Sequence, residues 1–233
     1  MERRRVIAAS VSGGLLCAAF LVLGALVERP FWRARPAPGR ELRAAVAIRD
    51  DVTPFQKWGT EAFTLPYLRR YYHEARYFTE GHGRNTKEAF ERCLSDLLAR
   101  HEAVDIYLLA HTNSYVGWVE GLDRGLTSRI RLVYNTGCWN SPQADRWLAL
   151  GARTYVGHPG RSESPPFCFY FLRRWTAGWP VGEAVGAANA LAARAFERAG
   201  RLSGGRLDAE RLQRESVGLC FGRTDLTIGG GTP

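Results

Sequence analysis

Apolar residues along the chain occur in one long unbroken run, several short ones and several helically spaced sets. The long run covers residues 6–27, uncharged throughout and preceded by Met-Glu-Arg-Arg-Arg. As a helix rising about 1.5 Å per residue it spans ~33 Å, enough to cross a bilayer core. No small-x-small pair sits convincingly before Glu28, which favours an uncleaved anchor over a removed signal peptide. Leu16 before Cys17 likewise lacks the small residue expected before a lipoprotein cysteine. Residues 1–27 are thus expected to form a cytoplasmic tip and transmembrane anchor. Arginines flank both sides, so the charge rule does not fix orientation. The short N-terminal tail tilts the reading towards a domain outside the cytoplasm.

Residues 28–41 (ERPFWRARPAPGRE) read as an extended Pro/Arg-rich linker. From 42 onward, strand and helix patterns alternate to residue 233. The short apolar run at 104–110 (VDIYLLA) has the continuous character of a central parallel strand buried on both faces, and 42–48 and 130–135 (IRLVYN) read as further short strands. Weaker strand signals lie at 75–79, 153–157 and 217–221. Helical spacing marks 55–72, interrupted by Pro66. It is clearest at 85–100, where Asn85 can cap and Ala89, Phe90, Cys93, Leu94, Leu97 and Leu98 share a face. Gly117, Gly121 and Gly125 recur every fourth residue, predicting either one helical face or a loose loop. Ser141-Pro142 reads as a cap and first helical residue of a helix closing at Gly151. Two more helices are expected at 166–177 and 181–199, with the aromatic cluster 167–171 (FCFYF) assigned to the core. A polar Gly-rich loop follows. The fold class predicted is α/β, a three-layer αβα sandwich around a mostly parallel sheet, in one domain over 42–233.

Composition changes this picture little. A formal net charge of +9 invites a nucleic-acid reading. However, eight Arg against three Glu in residues 1–43 supply +5 of it, and the remainder is interspersed without a basic stripe. No nucleic-acid partner is expected; the partners expected are a polypeptide substrate or protein, and the bilayer through residues 6–27. Besides Cys17, the cysteines are Cys93, Cys138, Cys168 and Cys220, at spacings that match no metal or disulfide framework. Cys93, Cys168 and Cys220 have apolar neighbours and read as inert buried thiols. One disulfide among them is an alternative in an exported domain.

Functional groups in open parallel sheets gather beyond the carboxyl ends of strands. One such end delivers His111 (LLAHTNS) and the next Cys138 (VYNTGCWN). A thiolate there can attack a carbonyl while the imidazolium protonates the leaving group. The Ser141 helix start, three residues on, is expected to add its positive end. Asn140, His158 and Ser162 are weaker candidates for lining a substrate cleft, with ordinary turn, loop and cap roles as the alternative. His82, in Gly-His-Gly, precedes the capped helix without a strong apolar strand before it. A His111–Cys138–His158 zinc site lacks any short paired ligand spacing. This chemistry requires no metal or organic cofactor.

Six segments in order resemble the caspase-like superfamily of cysteine peptidases, nearest its gingipain and CHAT-domain branch. They are NTKEA at 85–89, DIYLLAH at 105–111, LVYNTGC at 132–138, GARTYVG at 151–157, VGEA at 181–184 and FGRTDL at 221–226. The resemblance implies a thiol endopeptidase with Cys138 as nucleophile and His111 as general acid/base. It further implies an oxyanion hole from the backbone N–H groups of Cys138 and the residue after the histidine. That residue is usually glycine; here it is Thr112, a β-branched residue barred from conformations open to glycine. A catalytically inactive binding or scaffolding domain at the membrane is therefore the competing expectation. The family's closing Gly-Asp-Pro is also replaced, by Gly222-Arg223-Thr224.

Overall fold

The computed structural model describes Val22 and residues 35–49, 64–79, 86–109, 114–162 and 164–230, with the side chains of 164–169 excepted. The strands are β1 Arg43–Arg49, β2 Glu74–Thr79, β3 Ala103–Leu109, β4 Ile130–Asn135, β5 Thr154–Gly157 and β6 Leu219–Gly222. They form one sheet in the order β2-β1-β3-β4-β5-β6. All neighbours are parallel except β5 and β6. The three central runs read from the sequence are β1, β3 and β4, and their continuous burial follows from helices on both faces.

Helices α1 (residues 64–71), α6 (Ser164–Thr176) and α7 (Val181–Leu202) lie on one face. There Tyr71, Phe171, Trp175, Val185 and Phe196 pack with Ala45, Ala47, Tyr107, Leu132 and Tyr134 of the strands. Helices α2 (Thr86–Arg100), α3 (Tyr115–Val119) and α5 (Ala144–Ala149) cover the other face, where Phe90, Leu97, Val116 and Trp147 meet Val46, Ile48, Ile106 and Val133. The alternation of Ala44, Val46 and Ile48 against Ala45 and Ala47 is the period of two expected of a strand. Tyr170 and Phe171 are buried in the core, as assigned.

Where the chain differs from its reading, a local cause is visible. The glycine-spaced stretch is neither one helix nor a loose loop. It forms α3 and then α4 (Arg124–Thr127), divided because the Asp123 carboxylate caps the second by accepting from Leu126 N–H at 3.1 Å. Ser141 is not a side-chain cap; it opens a 3₁₀ turn, Ser141–Gln143, with α5 beginning at Ala144. The polar stretch before the last strand contains a further helix, α8 (Ala209–Ser216), whose Asp208 cap accepts from Arg211 N–H at 2.9 Å. The end of the linker is docked rather than free-running: Ala37 packs on the core and its carbonyl accepts from Arg43 at 2.6 Å. Cys93 and Cys220 are free, half-buried thiols; burial raises both pKa values, that of Cys220 to about 11. No described helix is long and apolar enough to cross a membrane. Apart from Val22, the expected anchor at 6–27 lies outside the described residues, as do His82, Asn85, His111 and Thr112.

A buried polar cluster closes the amino ends of the strands. A bulge between β3 and β4 lets Arg131 depart from the ladder beside Asp105. Its guanidinium donates to both carboxylate oxygens, at 2.9 and 2.7 Å. Tyr72 hydroxyl and Trp175 indole N–H also donate to that carboxylate. Burial alone would lower the Arg131 pKa, but the Asp105 charge raises it on balance. Both Arg43 and Arg131 donate to the carbonyl of Ile228, fastening the C-terminal segment beneath the sheet.

Candidate active site

The opposite, carboxyl end of the sheet carries the described candidates Cys138, Asn140, His158 and Ser162. The last register pair between β3 and β4 is Leu108 with Asn135, and Thr136 N–H extends the ladder by donating to Leu108 carbonyl at 2.9 Å. His111 and Cys138 each stand three residues further along the chain from that pair.

Residues 136–140 turn sharply, and their polar groups determine the shape of the turn. Asn135 Oδ1 accepts from Gly137 N–H at 2.9 Å. Asn140, fully buried, donates from Nδ2 to the carbonyls of Asn135 and Gly137 at 3.2 and 2.7 Å. Its Oδ1 accepts from His158 N–H at 2.7 Å, binding the turn to the segment after β5. That segment answers with carbonyls: His158 accepts from Asn140 and Ser141 N–H, and Gly160 from Trp139 N–H. The fit is close. A Cβ on Gly157 would stand 2.5 Å from Asn140 Oδ1, and one on Gly160 would stand 2.8 Å from Glu215 of α8.

Within this frame Cys138 is half-buried, and Ser162 N–H donates to its Sγ at 3.4 Å. The helix start expected near Cys138 is a 3₁₀ turn followed by a six-residue helix, and the donor at the sulfur comes from the loop after β5. Ser162 itself is buried, with its hydroxyl lacking a hydrogen-bond partner among the described residues.

The weaker candidates come together here, but not as a cleft lining. Asn140 is an internal clamp. His158 is completely buried, its Nδ1 at 2.9 Å from Ser216 carbonyl of α8. Burial lowers its pKa to about 4, so the ring is neutral near pH 7. It wedges the Cys138 loop against α8 rather than projecting into solvent. No group of three His, Cys, Asp or Glu that could hold a metal occurs among the described residues.

One residue escaped the sequence reading. Trp139, next to Cys138, has φ +48°, the only non-glycine residue with positive φ among those described. The left-handed region costs an ordinary side chain roughly 1 kcal/mol. The two anchors on either side, Trp139 N–H on Gly160 and Asn140 N–H on His158, impose that conformation. Its side chain nonetheless stands 61% exposed.

Comparison with protein-family models, with curated proteins and with solved structures returns no match to this chain. What can be said of function therefore rests on the residues and their arrangement.

Proposed function

We propose that this chain is a membrane-anchored, caspase-like cysteine peptidase that hydrolyses peptide bonds through His111 and Cys138. The observation that carries the reading is Cys138 at the carboxyl end of β4, its sulfur accepting a backbone N–H, beside the parallel strand that leads to His111. In this chain the six segments lie at the start of α2, in β3, β4 and β5, at the start of α7, and at the end of β6 with the turn after it.

In the proposed cycle the Cys138 thiolate attacks the scissile carbonyl and His111, as imidazolium, protonates the departing amine. A water deprotonated by His111 then resolves the thioester, releasing the carboxylate and restoring the thiol. Backbone N–H groups of Cys138 and Thr112 stabilise the oxyanion. The other contacts of the turn keep the sulfur in place: the Asn140 clamp and the Ser162 donor prepare the nucleophile before substrate arrives.

The test uses the full-length chain in detergent, treated with an electrophilic thiol probe and with a peptide library. Selective labelling of Cys138, and peptide cleavage lost in both Cys138→Ala and His111→Ala, is the expected result. Absence of selective labelling together with unchanged activity in Cys138→Ala removes the enzyme reading. Thr112, where the family has glycine, favours the second reading, an inactive tethered binding domain. That reading predicts partner binding unaffected by Cys138→Ala.

A further inference from the structure

Trp139 is disfavoured twice by the fold. Its backbone takes a left-handed conformation that glycine or asparagine adopts with far less strain. Its large apolar side chain lies mostly in water, where burial stabilises nothing. The indole makes no hydrogen bond or ring contact among the described residues, so the fold gains nothing visible in return. A strained backbone beneath an exposed aromatic, next to a thiol that a backbone N–H addresses, is the pattern of a residue kept for what it touches outside the chain.

We infer that Trp139 is a specificity-determining residue, its indole receiving an apolar side chain of a peptide positioned on Cys138. The inference rests on the proposed peptidase reading and names its substrate class. The turn itself supports it. With Trp139 N–H held by Gly160 and Asn140 buried beneath, the Trp139 side chain is fixed on the outer side of the loop, one residue from the sulfur. An aromatic face so placed offers apolar contact and no charge.

A lipid surface is the other apolar partner an exposed tryptophan suits, but the topology argues against it. The linker enters the domain at the amino end of β1, whereas Cys138 and Trp139 follow the carboxyl end of β4, which runs parallel to it within the sheet. Six strand residues at ~3.3 Å each put the Cys138 turn about 20 Å from the end of the sheet at which the described linker residues enter the domain.

The test compares second-order labelling of Cys138 in the full-length chain by matched peptidyl chloromethyl ketones. These carry Phe or Leu, or alternatively Asp or Lys, at one of the two positions preceding the ketone. The quantity read is the ratio of apolar to charged labelling rates within each variant, which cancels differences in intrinsic thiol reactivity. The expected ratio is about tenfold or more in the native chain, in the range set by one apolar subsite contact. Trp139→Gly brings it to near one while melting no earlier than the native chain; Trp139→Phe retains most of it. A ratio near one in the native chain, or one unchanged in Trp139→Gly, overturns the inference. So does iodoacetamide labelling of Cys138 that no peptidyl probe reproduces. A flat ratio with a vesicle-induced shift of tryptophan emission that Trp139→Gly abolishes overturns it in favour of a lipid surface. If the ratio behaves as expected but the corresponding peptides are never hydrolysed, the subsite stands and the hydrolase reading falls.

Discussion

Replacing Asn140 with alanine tests whether the Cys138 turn is held by side-chain hydrogen bonds or by apolar packing. Three buried backbone groups lose their partner: the carbonyls of Asn135 and Gly137 and the N–H of His158. Each buried polar group left unpaired costs about 1–3 kcal/mol. Gly137 carbonyl lies next to half-buried Cys138, where water can partly replace the amide, so we place the total loss at about 3–5 kcal/mol. At a urea slope of about 2 kcal/mol/M this moves the midpoint down by about 1.5–2.5 M. Asn140→Asp sharpens the test because it conserves shape. Its carboxylate still accepts from His158 N–H but turns an acceptor towards two carbonyl oxygens, so at neutral pH it is expected to destabilise at least as much. Facing those oxygens, the buried acid has a folded pKa raised above its unfolded value. Its deficit against the native chain therefore shrinks as pH falls through that folded pKa and the protonated acid becomes a donor. Unfolding of the full-length chain in mild detergent, followed by circular dichroism, gives both numbers. Losses under about 1 kcal/mol in both variants, with unchanged slope, refute the clamp.

Protonation of His158 supplies a second check: its pKa is lowered by burial to about 4 from 6.5, so stability is fully present above pH 6.5 and falls as pH drops towards 4. The loss is on the order of 3 kcal/mol, and His158→Asn, whose amide can donate to Ser216 carbonyl, should flatten that window. Glu74, held by Arg100 and Arg76 at a pKa of about 2, loses its contribution as pH falls from 4.5 towards 2, so the His158 effect is read above pH 4.5. Gly157→Ala places a Cβ 2.5 Å from Asn140 Oδ1 and 2.7 Å from the Tyr155 ring, so a thermal melt should show about 1–3 kcal/mol of destabilisation. Asp105→Ala removes the carboxylate that pairs with buried Arg131 and should remove about 3–5 kcal/mol in urea unfolding.

How much was legible depended on whether the signal was local. The runs that became β1, β3 and β4 read as strands because they are short and mostly apolar, with Asp105 and Arg131 as charged residues inside them. A charge inside a central strand must be compensated, and the partner of Asp105 is Arg131. Nothing nearby in the sequence named Arg131, which reaches it only across a bulged register. Helix α8 was hidden for the opposite reason: only Leu212 and Ser216 of its eight residues are buried, so it carries almost no apolar period. The antiparallel direction of β6 was equally invisible, because it follows from where α8 returns the chain and not from the residues of the strand. At the site, position was legible and role was not. Spacing located Cys138 after β4, but it left Asn140 and His158 open between cleft-lining and ordinary turn or loop roles, and both are interior. A polar residue beside a cysteine looks the same in sequence whether it faces substrate or holds the loop.

The two ends of the sheet divide the work of the domain. At the amino ends, Asp105 and Arg131 form a dry ion pair, with Arg43 beside them and the C-terminal segment fastened below. Breaking it disturbs three strands at once. At the carboxyl ends, the turn after β4 is held by one asparagine and a short loop, with α8 behind. These contacts are polar, few and local, so their loss should open the turn before it unfolds the sheet. That separation is what allows Cys138 and Trp139 to sit in a strained, half-exposed loop on a fully buried scaffold. It also predicts an order of events: in Asn140→Ala, Cys138 becomes rapidly alkylated at urea concentrations where the circular dichroism of the sheet is still native. Coincident loss of both signals would mean that the turn is integral to the core.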